Sequence, residues 1–458
     1  MATVEQAYSY IDAHLDNALA DAVRYCRQPS VSAHGAGLEE CAVLTGQILR
    51  EAGLTAKLLP GAGGPSIVHG HMPGASDKTL LLYNHYDVQP PDPLDQWTSP
   101  PFEPRLAEGK LYARGVADTK GNVIARLWAI RAYRETFGAL PLSVKFLIEG
   151  EEEIGSPHFE RFLQQPEERE RFAADYCLWE GSIVDWEGRP DIRLGVKGIL
   201  YVELEVRTAA KDLHSSWAAV VPNPAWRLFW ALSTLKSPDE RVLIPGFYDD
   251  MRPLLPEELA SLTTMQSEEE ETRRTFGIMR FLNGAAGADF LHRLLLDPTC
   301  NICGVETGYI GVGVKTVLPA VARAKLDFRL VPDQRPQDIV EKLRRYLDQQ
   351  GFSDVQVRSL AAEAPARSPI TAPFVGLVAR AAEDVYGMPP GVRPSSAGTG
   401  PMAPVVDLLG VTVADSGIGY PGSAVHAPDE HVRIEDFVKG MKHMVAILHR
   451  LGREELTN

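Results

Sequence analysis

The sequence predicts an α/β fold, a central mixed sheet flanked by helices, interrupted by a second, ferredoxin-like α+β domain. Three observations predict it. Short apolar runs at residues 79–83, 143–148 and 176–179 read as central strands, because a strand covered on both faces need not alternate. Between the first two, residues 120–134 carry Ile124, Leu127, Trp128 and Ile130 on one helical face, so strands and helices interleave. Near Gly195 the pattern changes: Val202, Leu204 and Val206 alternate with Tyr201, Glu203 and Glu205, the period of a half-exposed strand over 199–207.

The remaining elements follow in order. Residues 4–25 place Ile11, Leu15, Leu19 and Ala22 on one face and read as a single opening helix, ended by Pro29. Behind Pro224 a helix covers 226–235, and the acidic stretch 267–274 reads as a solvated helical face. Alternating runs at 321–331 and 354–360 flank a helix over 337–349. Strand, helix, strands, helix, strand is the ferredoxin-like order. Longer helices return at 374–386 and 434–451. The expected division is therefore an α/β domain over 1–195 and 364–458, with 196–363 inserted.

Composition narrows the function. The chain has 458 residues, 45% of them hydrophobic and 23% charged, which is ordinary globular composition. A net charge of -15 argues against nucleic acid and anionic membrane surfaces as partners. No apolar run approaches the ~18 residues of a membrane span. Residues 1–10 lack the basic region and apolar run of a secretory leader, so the chain reads as cytoplasmic. The odd set Cys26, Cys41, Cys177, Cys300 and Cys303 gives no disulfide framework. Cys300 and Cys303 form a CxxC with no second such pair and no nearby histidine pair, and ordinary buried thiols are expected.

Chemistry gathers at the predicted strand ends. His85 and Asp87 lie two apart and share a face if extended. Asp87 can then accept from the far ring nitrogen of His85, which fixes the tautomer of a metal-binding histidine; the pair could equally just cap a strand. Asp118 stands in a glycine-flanked turn before a helix, where an aspartate can be an N-cap as well as a ligand. Glu149, Glu151, Glu152 and Glu153 crowd the exit of a core strand, and a divalent cation would offset their repulsion. Glu180 follows the third run, and His426 lies in the run Ser423 to Glu430. In open α/β sheets ligands bind at the carboxyl ends of the strands. A mixed nitrogen and oxygen set suits zinc, manganese or cobalt better than calcium.

These motifs resemble the M20 metallopeptidases, a family of aminoacylases, acetylornithine and succinyl-diaminopimelate deacylases, carboxypeptidase G-type enzymes and carnosinase-like dipeptidases. The matching stretches are Asn84 to Pro90, Arg114 to Gly121, Glu149 to Ser156 and His426 to Glu430, in family order. The resemblance implies two divalent metal ions, zinc first and manganese or cobalt as alternatives. His85 and Glu180 would hold one and Glu153 and His426 the other, with Asp118 bridging and Asp87 behind His85. Glu152 would be the general base. Lys211 to Ser216 is similar to the family's lid motif, whose histidine, here His214, reaches the partner's active site in dimeric members. That implies a homodimer through the inserted lid and dimerisation domain. Gly313 to Pro319 and Phe328 to Pro332 resemble the carnosinase-like dipeptidase branch, in which Arg329 would clamp a substrate carboxylate. Thr399, in Ala397 to Pro401, stands where that branch often has serine and keeps the hydroxyl. The implied reaction is hydrolysis of dipeptides or short peptides. Glu180, an Asp in many dipeptidases, leans instead toward N-acyl-amino-acid deacylases. A non-catalytic binding protein on the same fold is the reading from another class.

Overall fold

The computed structural model describes residues 2–265, 267 and 269–453. The chain forms two compact units: Met1–Gly195 with Arg367–Pro394 and Pro404–Asn458, and Val196–Ala366 with Ser395–Ala403.

The first unit is built on six strands: β1 (Thr55–Gly61), β2 (Gly64–Met72), β3 (Thr79–His85), β4 (Ser143–Glu149), β5 (Tyr176–Trp179) and, far along the chain, β10 (Thr412–Asp415). Their order is β1-β2-β4-β3-β5-β10. β4, β3, β5 and β10 run parallel, and β1 and β2 form an antiparallel margin. Thr79 lies opposite Ser143 and His85 opposite Glu149, so β3 and β4 end level with each other.

Both faces of this sheet are covered, which is why its strands read as unbroken apolar runs. The main helices are α1 (Val4–Ala13), α2 (Leu15–Cys26), α3 (Leu38–Glu51), α4 (Lys120–Phe137), α7 (Pro373–Tyr386) and α8 (Ile434–Gly452). Val68, Leu80, Leu82, Phe146 and Leu178 share one core with Ile124 and Leu127 of α4 and Met441 and Val445 of α8. On the opposite face Tyr83 stacks on Trp179 at 3.7 Å between centroids and meets Phe159 edge-on at 5.7 Å.

The single helix expected over 4–25 is in fact two. It breaks at His14, whose backbone leaves the helical region (φ -116, ψ 18). The His14 Nδ1 lies 2.8 Å from the Tyr10 carbonyl oxygen, and such side-chain bonds compete with the helical ladder.

The second unit pairs β6 (Gly198–Arg207), β7 (Thr299–Thr307), β8 (Val321–Leu330) and β9 (Gln356–Glu363) in the antiparallel order β7-β8-β6-β9. With α5 (Pro224–Leu235) and α6 (Pro336–Gln349) the order is βαββαβ, the ferredoxin-like arrangement. Leu200, Val202, Leu204, Leu326 and Phe328 pack with Leu228 and Ala231 of α5 and Leu343 and Leu347 of α6. The other sheet face carries charge, with Arg323 paired to Glu205 at 2.6 Å and Arg358 to Glu203 at 2.8 Å.

Three features of this unit differ from the sequence expectation. β7 is an edge strand, exposed along most of its length, and so carries no core-facing alternation. Between α5 and β7 the chain makes a helical excursion (Pro256–Thr264, Glu269–Phe276, Gly287–Leu296) with its own small core of Leu262, Phe290, Leu291, Leu295 and Leu296. Part of the acidic stretch expected over 267–274, Glu268, lies outside the described residues. Finally, Ser395–Ala403 groups with this unit and not with the first. The reason is hydrogen bonding: the Lys197 N–H donates to Gly398 O at 2.9 Å, and Arg329 Nη1 donates to Thr399 Oγ1 at 2.7 Å.

Cys26, Cys41, Cys177 and Cys300 are buried, whereas Cys303 is exposed, its Sγ 3.1 Å from Asp327 Oδ1. It falls at the register shift between Ile302 and Gly304, where a bulge takes it out of the pairing. Among the described residues no helix is long and apolar enough to cross a membrane.

Candidate metal centre

Parallel strands deliver their carboxyl ends to one edge, and the polar residues singled out above meet there. His85 is the last residue of β3, Glu180 follows β5 directly, and Glu152 and Glu153 open the 3-10 turn after β4. Asp118 precedes α4, and His426 lies in the loop between β10 and α8.

His85 is fully buried, and its Nε2 lies 3.0 Å from Asp118 Oδ1, 3.6 Å from Glu180 Oε1 and 3.9 Å from Glu152 Oε2. His426 Nε2 lies 3.0 Å from Asp118 Oδ2 and 3.1 Å from Glu153 Oε2. Asp118 therefore offers one oxygen to each histidine. The donors fall into two groups that share one carboxylate: His85 and Glu180 on one side, His426 and Glu153 on the other. His85, Asp118 and Glu153 each offer a donor atom within 4.8 Å of the others.

Buried charge explains the electrostatics. Burial pushes Glu180 up to about 8, with the Asp118 charge adding to it. Burial also raises Glu152 well above the ordinary carboxyl range. Asp118 is held low although burial opposes this, because His426 and His85 both bond to it. Donating to Asp118 in turn lifts His426 to about 10. Four carboxylates in a partly buried pocket repel one another unless cations lie among them, and imidazole with carboxylate suits zinc, manganese or cobalt. This donor set fits two divalent ions.

Supporting residues hold the donors. His85 Nδ1 lies 2.9 Å from the backbone oxygen of Asp87 and 3.3 Å from its carboxylate. The Asp87 oxygens also accept the backbone N–H groups of Glu152 (3.2 Å) and Glu153 (3.1 Å). Gln89 donates from its backbone N–H (3.1 Å) and its amide (3.0 Å) to the Glu153 carboxylate.

The Asp118 turn has its own brace. The buried Glu430 carboxylate accepts the backbone N–H groups of Gly115 (3.0 Å), Ala117 (2.9 Å) and Asp118 (3.1 Å), and pairs with Arg114 at 2.7 Å. Gly115 sits at φ 84, and a Cβ there would lie 2.5 Å from Val88 Cγ1, so the turn requires glycine. Beneath the strands, buried Arg126 of α4 donates to Tyr83 O (2.6 Å) and Asn84 Oδ1 (2.7 Å) and also reaches Trp179 O. It thus grips the chain just before His85 and just before Glu180. Sequence reasoning missed Gln89, Arg126 and the brace of Glu430 on Arg114. The one signal available was a basic residue in the middle of an apolar helix, at Arg126.

The remaining candidates belong to the second unit. His214 is exposed on a short strand, Leu213–His214, with Nδ1 2.9 Å from Ser216 Oγ. Arg329 lies at the end of β8, bonded to Thr399 as above and 3.5 Å from Asp327 Oδ2.

Comparison with known proteins shows the family. The model of "Peptidase family M20/M25/M40" matches residues 81–450. A beta-Ala-His dipeptidase of Rattus norvegicus is 27% identical over 382 residues, 82% of this chain and 77% of that protein. A Cys-Gly metallodipeptidase of Schizosaccharomyces pombe is 29% identical over 392 residues, 82% of this chain and 80% of that protein. Among solved structures, an M20 family metallo-carboxypeptidase from Sulfolobus solfataricus matches with TM-score 0.88 and 39% identity, covering 94% of this chain and 98% of its own. Human carnosine dipeptidase 1 matches with TM-score 0.78 and 25% identity, covering 98% and 100%. With a family match that spans most of its length and both histidines of the centre, the chain belongs to peptidase family M20/M25/M40.

Proposed function

We propose that this metallohydrolase cleaves dipeptides and short peptides at the His85–Asp118–His426 centre. The single observation that carries the reading is the shared Asp118 carboxylate, one oxygen 3.0 Å from each histidine. The relatives named as dipeptidases support the substrate class.

His85, Glu180 and Asp118 would hold one divalent ion, and Asp118, Glu153 and His426 the other. Such a pair, zinc first and manganese or cobalt as alternatives, supplies Lewis acidity and makes water a stronger acid. Glu152 takes the proton of the attacking water and returns it to the leaving amine. A partly buried carboxyl whose proton affinity is raised suits that shuttle. Asp87 keeps Glu152 and Glu153 in place through their backbone. Arg329, with Thr399 beside it, holds the substrate's terminal carboxylate through its planar fork. His214 stabilises developing negative charge on the carbonyl oxygen, acting from a partner subunit in a homodimer formed by the inserted unit. The exposed, stacked Trp226 and Trp230 of α5, 6.0 Å between ring centroids, support an association surface there.

A second reading is favoured by one observation. The solved structure 39% identical to this chain is named a metallo-carboxypeptidase, which supports release of C-terminal residues from longer peptides. A hydrolysis screen of dipeptides, longer peptides and N-acyl amino acids with zinc, manganese or cobalt supplied tests both. Cleavage of N-acyl amino acids alone overturns the peptide reading.

A further inference from the structure

In the second unit, the helical excursion and the end of the four-stranded sheet line an open cavity of about 670 Å³ that Arg329 borders. We propose that this cavity receives the side chain of the substrate's C-terminal residue and selects large aromatic or apolar ones. The inference rests on the reading of Arg329 as the carboxylate clamp.

The carboxylate and side chain of an amino acid hang from the same Cα. A clamp on the first therefore places the second within a few ångströms, and the space beside Arg329 is this cavity. Its chemistry then decides what fits. Phe281, Leu282, Phe290 and Leu294 form an apolar wall. Phe281 and Phe290 are in ring contact at 4.8 Å, while Leu282 and Leu294 stay 61% and 42% exposed, apolar surface that a ligand could cover.

The cavity also has basic residues, but these are already engaged. Lys236 pairs with Glu240, Arg293 with Asp289 at 2.8 Å, and Arg241 lies over the Tyr248 ring at 4.7 Å. Lys197 is buried and donates to Asp297 O at 2.6 Å, and burial lowers it to about 8. An acidic side chain would compete with the carboxylates already paired to Lys236 and Arg293, whereas an aromatic one covers surface that is otherwise wet. The volume exceeds that of any one side chain, so indole-sized groups are accommodated as well as phenyl.

The test narrows the cavity from its exposed wall. Leu294→Trp and, separately, Leu282→Trp are compared with wild type on Ala-Phe and Ala-Gly. The ratio of kcat/KM for Ala-Phe over Ala-Gly is expected to favour Ala-Phe in wild type. It should fall about tenfold in each variant, mainly through KM, the discrimination that loss of a few buried methylenes gives. An unchanged ratio in both variants overturns the proposal, as does a wild type that prefers Ala-Gly. If wild type cleaves neither peptide, the functional reading fails, and calorimetric binding of free phenylalanine and glycine reads the cavity alone. Tighter binding of phenylalanine, weakened about tenfold in the variants, supports the cavity; equal binding of the two overturns it.

Discussion

Asp87 holds Glu152 by its backbone: Asp87 Oδ1 accepts the Glu152 N–H at 3.2 Å, while its second oxygen accepts that of Glu153 at 3.1 Å. One fully buried carboxylate thus orients the proposed base and a proposed ligand, besides lying 3.3 Å from His85 Nδ1. Asp87→Asn keeps the shape but leaves only one acceptor oxygen, so one amide loses its partner. Such supporting carboxylates typically contribute about 10–100-fold in metal affinity or activity. A loss of that size in kcat, with metal content checked by elemental analysis, is expected; full activity would remove Asp87 from the machinery.

Glu152→Gln is isosteric and cannot shuttle a proton. Metal stoichiometry should match wild type, while kcat falls by about 10²–10⁴-fold, the range for a lost general base. Loss of metal together with activity would make Glu152 a ligand instead.

Metal binding should release protons. In the metal-free protein Glu180 titrates at about 8, raised by burial and by Asp118, and His426 at about 10, raised chiefly by its bond to Asp118. At pH 7 both therefore hold a proton that a cation displaces, and affinity climbs as pH rises from 6 toward 8. Calorimetry in two buffers of different ionisation enthalpy measures this directly; identical heats would refute it. Both folded-state values lie above the ordinary ones, so the associated stability is complete at low pH. It declines as pH rises through 8 for Glu180 and through 10 for His426. Thermal melts of metal-free protein should show the first decline, and Glu180→Gln should flatten it.

Glu430→Gln removes one partner of a buried pair: Arg114 and Glu430 side chains are each 1% exposed. Leaving the Arg114 charge unpaired costs about 3–5 kcal/mol. The urea midpoint should fall accordingly, and metal affinity with it, because the same carboxylate holds the Asp118 amide at 3.1 Å.

His214→Ala should lower kcat with metals retained, since His214 sits in the second unit while the proposed metal donors lie in the first. Mixing this variant with Glu152→Gln tests its action across subunits. Recovered activity in the mixed dimer supports it, and a fully active monomer in light scattering overturns it.

How much of this was legible in the sequence follows from which signals are local. The runs at β3, β4 and β5 were readable because burial on both faces removes alternation. The alternation of β6 was readable because its sheet has one charged face. The candidate donors were readable as residue types at predicted strand ends and turns. The break at His14 was not, because a ring nitrogen competing for a carbonyl leaves no periodic trace. β7 was not, because an edge strand exposed on most positions has no pattern to show.

The sequence by itself determined the fold class, the candidate set of His85, Asp118, Glu153, Glu180 and His426, and the motifs that carry the family. The tertiary structure decided which of them meet. His85 and His426 lie far apart along the chain, and only the parallel sheet, its carboxyl ends at one edge, puts both on the two oxygens of Asp118. It also decided what holds them: the Glu430 brace and the Arg126 grip join residues hundreds of positions apart or buried inside a helix. Buried charge is stable only where partners surround it, and those partners come from the fold, not from neighbours in sequence.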